Sequence, residues 1–144
     1  MNPVAKKAMA TGNKVASWMY LRSDGRMGGS ARGVPVLVLT VPGRKTGKPR
    51  SVPVAFFKHN NGYLIAATAG GSKTNPQWIR NLGAARKAEI HIGERRYDVD
   101  ARITDSAERD ELWLNVVVKQ APSFAKYEEK SGRVIPIALL TPHS

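Results

Sequence analysis

Two apolar, β-branched runs, "VPVLVLTV" at residues 34–41 and "SVPVAFFK" at 51–58, are joined only by a short basic stretch rich in glycine and proline. Each run has the composition of a buried strand, and the turn-forming residues between them predict a hairpin with Gly43-Arg44-Lys45-Thr46-Gly47-Lys48-Pro49 at its tip. A chain that begins its core with such a hairpin must find further strands to bury it. "HNNG" turns into a third strand, "YLIAATA" at 63–69, which ends in Gly70 and Gly71. "AEIHIG" and "RRYDVDARITD" flank a Gly93-Glu94 turn and alternate as a strand pair with Ile90, Ile92, Tyr97 and Val99 inward, and "RVIPIALLTP" closes the sheet.

Helical signals fall between these strands. Residues 3–21 carry a partly periodic apolar face of Val4, Ala8, Val15, Trp18, Met19 and Leu21, and "RSDGRMGGSARG" then reads as a flexible connection. "NPQWIRNLGA" predicts a short helix with Pro76 at its first position and Asn75 as cap. "SAERDELWLNVVVKQ" follows the capping cluster Thr104-Asp105-Ser106 with acids in its first turns, and "APSFAKYEEKSG" runs from Pro122 to Gly132 as a second short helix. Six mostly antiparallel strands with late helical insertions give an α+β chain, and a small barrel suits them better than a sandwich. The expected organisation is an N-terminal helical arm over residues 1–33 and one barrel domain over 34–144.

The length, 144 residues, fits one domain, since a chain of this size buries about 70% of its unfolded surface. Its charge is unevenly placed. Residues 1–88 hold fifteen Lys and Arg against one acid, Asp24, a net +14, whereas the remainder carries −2. Such a field draws nucleic acid, anionic lipid or a polyanionic small molecule. The absence of cysteine excludes disulfides and thiolate metal sites. No apolar stretch approaches the ~20 residues of a spanning helix, and the N-terminal residues lack a signal-peptide pattern. The expectation is a cytoplasmic protein, with Lys6, Lys7, Lys14 and Trp18 offering a peripheral contact at the inner face of the membrane.

The hairpin tip invites a P-loop reading and fails it. Gly43 to Lys48 is one residue short of the motif, Pro49 stands where a hydroxyl must bind magnesium, and a strand follows instead of a helix. A solvated turn remains one reading. The other is an anion site, because Arg44, Lys45, Lys48 and Arg50 surround the Thr46 hydroxyl with no acid between Asp24 and Glu89. In "ATAGGSKTNPQWIRNL", the Gly70-Gly71 pair allows close backbone approach to a flat ligand. His59, His91 and His143 lack metal-ligand spacing, so no metal site is expected. No G-x-S-x-G is present either. Phe124 and Tyr127 stand at helical i, i+3 spacing, with core packing the default for Phe124.

Taken in order, "TVPGRKTGKPRSVPV", "GGSKTNPQWIRNL" and "RVIPIALLTP" resemble the deazaflavin-dependent nitroreductase family of actinobacterial split-barrel oxidoreductases, over about residues 34–142. The resemblance implies a split β-barrel and coenzyme F420, an 8-hydroxy-5-deazaflavin hydride carrier with a phosphodiester and a polyglutamate tail. It implies that Arg44, Lys45, Thr46, Lys48 and Arg50 bind the anionic tail. Pro53 with Ala66, Ala67 and Thr68 would line the ring, Ala69, Gly70 and Gly71 would give backbone contacts, and Trp78 and Asn81 would complete that wall. The substrate wall, made of tyrosines in relatives active on bulky nitro compounds, corresponds here to Ala55, Ala121, Phe124 and Tyr127, and Tyr127 or water is the candidate proton donor. This wider pocket implies hydride transfer to an activated double bond of an enone, lactone or quinone. Two other classes stay open on the residues: a flavin-mononucleotide oxidoreductase of similar barrel fold, and a non-enzymatic binder of nucleic acid or membrane. The resemblance implies a small-molecule electron acceptor and no specific nucleic acid, and leaves the oligomeric state open.

Overall fold

The computed structural model describes residues 30–31 and 34–143. The helix expected over residues 3–21, and with it the membrane contact through Lys6, Lys7, Lys14 and Trp18, lies outside them. The described residues include seven strands: β1 (Ser30–Ala31), β2 (Val34–Pro42), β3 (Pro49–His59), β4 (Gly62–Ala66), β5 (Lys87–Ile92), β6 (Arg95–Ile103) and β7 (Ile137–Pro142). Their order is β1-β2-β3-β4-β7-β6-β5, and β5 pairs back onto β2 through Val38↔His91, Leu39↔Ile90 and Thr40↔Glu89. Every pairing is antiparallel, so β2 to β7 form a closed six-stranded barrel with no free edge, and β1 extends one end of β2.

Strand alternation sorts the side chains into two packing layers. Leu37, Leu39 and Val41 of β2, Val54 and Phe56 of β3, Ile65 of β4, Ile90, Val99, Ala138 and Leu140 fill the barrel. Ile92 and Tyr97 pack against that core with partial exposure, which bears out the inward set. On the outer face, Phe57, Leu64, Ala66 and Ile137 meet a helical layer. That layer comprises α2 (Ser106–Leu112), a π-helical turn (Trp113–Val117), α3 (Val118–Gln120), a 3-10 turn (Pro122–Phe124) and α4 (Ala125–Ser131). Helix α1 (Gln77–Ala85) contributes Ile79 and Leu82 to the barrel core, and fully burying side chains of this size is worth about 1.5–3 kcal/mol each. A backbone approach fixes Gly62: a Cβ there would stand 2.2 Å from the Leu140 carbonyl oxygen across the β4–β7 pair.

The elements begin and end where local chemistry directs. The Asp105 carboxylate accepts from the Glu108 amide at 2.9 Å and caps α2, and Gly132 at φ 65° ends α4. Among the boundaries that differ from expectation, three bear on the site. The third strand stops at Ala66, because the Ala67 amide donates to Pro136 O and the Thr68 amide to Ala66 O, both at 2.9 Å, and these bonds turn the chain into a 3-10 turn, Ala69–Gly71. The closing strand begins at Ile137 rather than Arg133. Pro76 is itself the cap residue of α1, whose first helical residue is Gln77, and the Asn75 side chain serves another partner.

Because successive strands of the barrel run in opposite directions, alternate connections share an end of it. The turns at 60–61 and 93–94 lie at one end, beside the aromatic contacts Phe56–Tyr63 and Tyr63–Tyr97. The hairpin tip 43–48, the segment 67–76 leading into α1, and the helical segment 104–136 all emerge at the other. That end gathers the residues singled out in the sequence.

Candidate active site

The hairpin tip is closed by Gly43 N–H to Lys48 O at 2.9 Å and Gly47 N–H to Gly43 O at 2.8 Å. Within it the basic residues divide. Arg44 turns toward α1: its amide and Nη1 donate to Asn81 Oδ1 at 3.1 and 2.8 Å, and Nη2 donates to Gln77 Oε1 at 2.8 Å. Asn81 is buried, so its amide oxygen needs this partner. Lys45, Lys48 and Arg50 are exposed, and none of them is paired with a carboxylate among the described residues. Thr46 Oγ1 accepts from the Lys48 amide at 3.2 Å and lies near Gly43. Arg50 Nε also approaches Gly43, at 3.3 Å from where a Cβ would be. Lys45, Lys48 and Arg50 therefore stand on one short tip without an acidic partner among the described residues, the arrangement an external anion answers.

The neighbouring segment, residues 67–76, is held from its far side by Arg133. Nε donates to Ser72 O at 2.9 Å, Nη1 to Asn75 Oδ1 at 2.7 Å, and Nη2 to Ala67 O and Thr68 O at 2.9 and 3.1 Å. Burial pulls the Arg133 pKa below its ordinary value, although a guanidinium remains charged at neutral pH. The stem of Lys130 lies on Gly71, where a Cβ would meet its Cδ at 2.9 Å and φ is +83°. Ala69 also has positive φ, 46°, an uncommon conformation for alanine. The two arginines thus fasten one continuous piece of chain, the 67–76 segment by Arg133 and α1 by Arg44.

The four expected wall residues, Ala55, Ala121, Phe124 and Tyr127, come together in one outer cluster with Phe57 and Ala66. Ala121 and Phe124 are buried, whereas Ala55 and Tyr127 are partly exposed. Phe124 meets Phe57 edge-on at 5.7 Å and Tyr127 at 5.2 Å, so its ring holds the tyrosine against the barrel. Pro53 is opposite Val38 and Ala55 opposite Val36, with Thr40 Oγ1 and Ser51 Oγ hydrogen-bonded at 2.8 Å on the same outer strip. Ala66 and Ala67 are buried, Thr68 and Ala69 half-buried, and Trp78 packs partly exposed on α1. Between the tip and the wall the chain thus carries small residues, of which Ala66 joins the outer cluster while Ala67 packs inside the barrel.

Arg109 supports this layer from behind. It is buried, donates from Nε to Ile135 O at 2.8 Å, binds Asp110 and Glu128, and lies 4.8 Å from the Trp113 ring centroid. Neither Arg109 nor Arg133 was singled out by sequence reasoning, since one sits in an ordinary amphipathic helix and the other beside a strand-like run. Among the described residues no group of three or more His, Cys, Asp or Glu is placed to hold a metal, and no helix is long and apolar enough to cross a membrane. The site offers cations, backbone donors and one phenol, which suits binding and orienting a ligand that carries its own reactive chemistry.

Comparison with known proteins gives this geometry relatives. Residues 13–142 match the family model described as F420H(2)-dependent quinone reductase. An F420H(2)-dependent quinone reductase of Mycobacterium tuberculosis strain H37Rv is 32% identical over 126 residues, covering 85% of each chain. The solved structure of an F420-H2 dependent reductase, FDR-A, superposes with a TM-score of 0.64 at 31% identity, over 74% of this chain and 93% of that one. A solved domain-swapped dimer superposes with a TM-score of 0.66 at 27% identity, over 96% and 99%.

Proposed function

Because the chain belongs to the F420H(2)-dependent quinone reductase family, we propose that it grips the anionic tail of reduced coenzyme F420 at the β2–β3 tip and presents the ring to a quinone beside Tyr127. It is a split-barrel oxidoreductase that uses coenzyme F420. The donor set fits that group: Lys45, Lys48 and Arg50 lack carboxylate partners among the described residues, and the adjoining segment offers small side chains and backbone to a flat ring.

When bound, the reduced coenzyme supplies the hydride, so the protein has to bind, orient and exclude water. Lys45, Lys48 and Arg50 hold phosphodiester and carboxylate oxygens, with the Thr46 hydroxyl as an additional donor. Ala66, Ala67 and Thr68 form one wall for the ring with Pro53, and Ala69, Gly70 and Gly71 bring backbone against it. Trp78 shields the α1 side, while Asn81 acts through Arg44, whose guanidinium it holds. Tyr127, steadied by Phe124, stands at the acceptor side and holds a proton at its Oη for the reduced product. Ala55 leaves that side open, which favours flat acceptors and extends the range to enones and lactones.

The observation that carries this reading is the cluster of unneutralised cations next to a segment fastened by Arg44 and Arg133. Anaerobic mixing of the protein with reduced coenzyme F420 and a soluble naphthoquinone, followed by the absorbance of the oxidised coenzyme, tests it. Oxidation whose rate rises with quinone is expected, with an enone and an unsaturated lactone also reduced. Oxidation no faster than in a protein-free control would overturn the reading.

A further inference from the structure

Arg133 is a half-buried cation with no carboxylate partner among the described residues, and its ligands are four oxygens of one short segment. Three are main-chain carbonyls, of Ala67, Thr68 and Ser72, and the fourth is the Asn75 side chain, so the guanidinium spans the segment almost from end to end. These partners are 58 to 66 residues away in sequence. A residue whose only task was to join α4 to the barrel would need one or two such bonds. Here nearly every donor is committed to residues 67–75, and the planar fork geometry of arginine makes that commitment rigid. The segment's other hydrogen bonds are mostly internal: Thr68 N–H to Ala66 O, Gly71 N–H to Thr68 O, Ser72 N–H to Ala69 O and Ser72 Oγ to Thr74 O, with Ala67 N–H to Pro136 O at its start and Ala69 and Gly71 both at positive φ.

We propose that Arg133 is a positioning residue for hydride transfer, fixing residues 67–75 in the conformation against which the coenzyme ring lies. The proposal rests on the placement of the ring given above, and it assigns to Arg133 the geometry of the site and not contact with the reacting atoms. Its charge matters less than its fork. Lysine at this position keeps a cation but reaches fewer of the four oxygens at once, so it restores only part of the effect.

Amide hydrogen exchange on the coenzyme-free protein reads the clamp without any assumption about the ligand. Arg133→Met should raise exchange at residues 68–75 by about tenfold while leaving the barrel strands protected, because the opening is local. Coenzyme titration and steady-state kinetics with the naphthoquinone, run well below the melting temperature, read the consequence. In Arg133→Met the coenzyme should bind more weakly, and kcat at saturating coenzyme should fall on the order of a hundredfold, as a misplacement near 1 Å would cause. The KM for quinone should stay near the wild-type value, and Arg133→Lys should fall between. Uniformly raised exchange with unchanged coenzyme affinity and kcat would assign Arg133 to fold stability alone and overturn the proposal. Wild-type protein that binds no coenzyme, with the local exchange effect still present in Arg133→Met, would refute the placement of the ring and with it this proposal, while leaving the clamp itself intact.

Discussion

At Arg44 three donors are committed to Asn81 and Gln77, whereas Lys45, Lys48 and Arg50 in the same tip face solvent. The two groups should separate experimentally. Arg44→Ala removes the guanidinium bonds to Asn81 and Gln77 but keeps the residue-44 amide on the buried Asn81 oxygen, and should cost about 0.5–1.5 kcal/mol in denaturant-monitored stability. Lys45→Ala should leave stability within about 0.5 kcal/mol of wild type and act on coenzyme affinity alone. The surface pair Arg102–Glu108 gives a pH signature. Arg102 hydrogen-bonds Glu108 at 2.6 and 3.0 Å and holds its carboxyl below the usual glutamate range. A carboxyl depressed in the folded state lends stability above its unfolded pKa and loses it as pH falls through the folded one. Thermal melts of wild type and Glu108→Gln should therefore converge on acidification, and a gap that widened instead would contradict this assignment. Because Arg102 is exposed and Glu108 partly so, the gap at neutral pH should be small.

At the scale of elements, α1 is both a plug for the barrel and the partner of the tip. Leu82→Ala removes a fully buried side chain and should cost about 2–5 kcal/mol, lowering the denaturation midpoint. Gly62→Ala should be as damaging, since its Cβ would be driven into the Leu140 carbonyl where β4 meets β7. Most of this framework could be read in the chain. The apolar alternation of β2 and β3 placed the hairpin, Asp105 and Gly132 marked helix ends, and Phe124 packed as its spacing implied. The Arg133 clamp could not be read, because every bond it makes is to a residue far away in sequence, and its neighbours Val134 to Leu140 look like strand from Arg133 onward. The early end of β4 was hidden for a related reason: Ala67, Thr68 and Ala69 continue the strand-like composition, and only the bond to Pro136 shows where the ladder stops. The π-helical turn at Trp113–Val117 has no signal in its residues.

Over the described residues, the antiparallel run of strands delivers the basic tip, the 67–76 segment and the helical wall to one end of a closed barrel, so the candidate site is assembled by topology more than by any single motif. Residues 34–88 hold nine Lys and Arg and no acid, and their field would act on the anionic coenzyme and not on a neutral quinone. Raising ionic strength shortens the Debye length from about 10 Å at 0.1 M to about 3 Å at 1 M. Coenzyme affinity should accordingly fall steeply with salt while the KM for quinone changes little, and equal salt dependence of both would argue against tail recognition. The most direct test of the account is an equilibrium titration of wild type and of the double variant Lys45→Ala, Arg50→Ala with coenzyme F420 and with a deazaflavin lacking the phosphodiester and polyglutamate tail. The account predicts that the double variant loses about tenfold or more in affinity for the full coenzyme, about 1.4 kcal/mol per factor of ten, and nothing for the tailless ring. Equal losses for both ligands, or no loss for either, would contradict it.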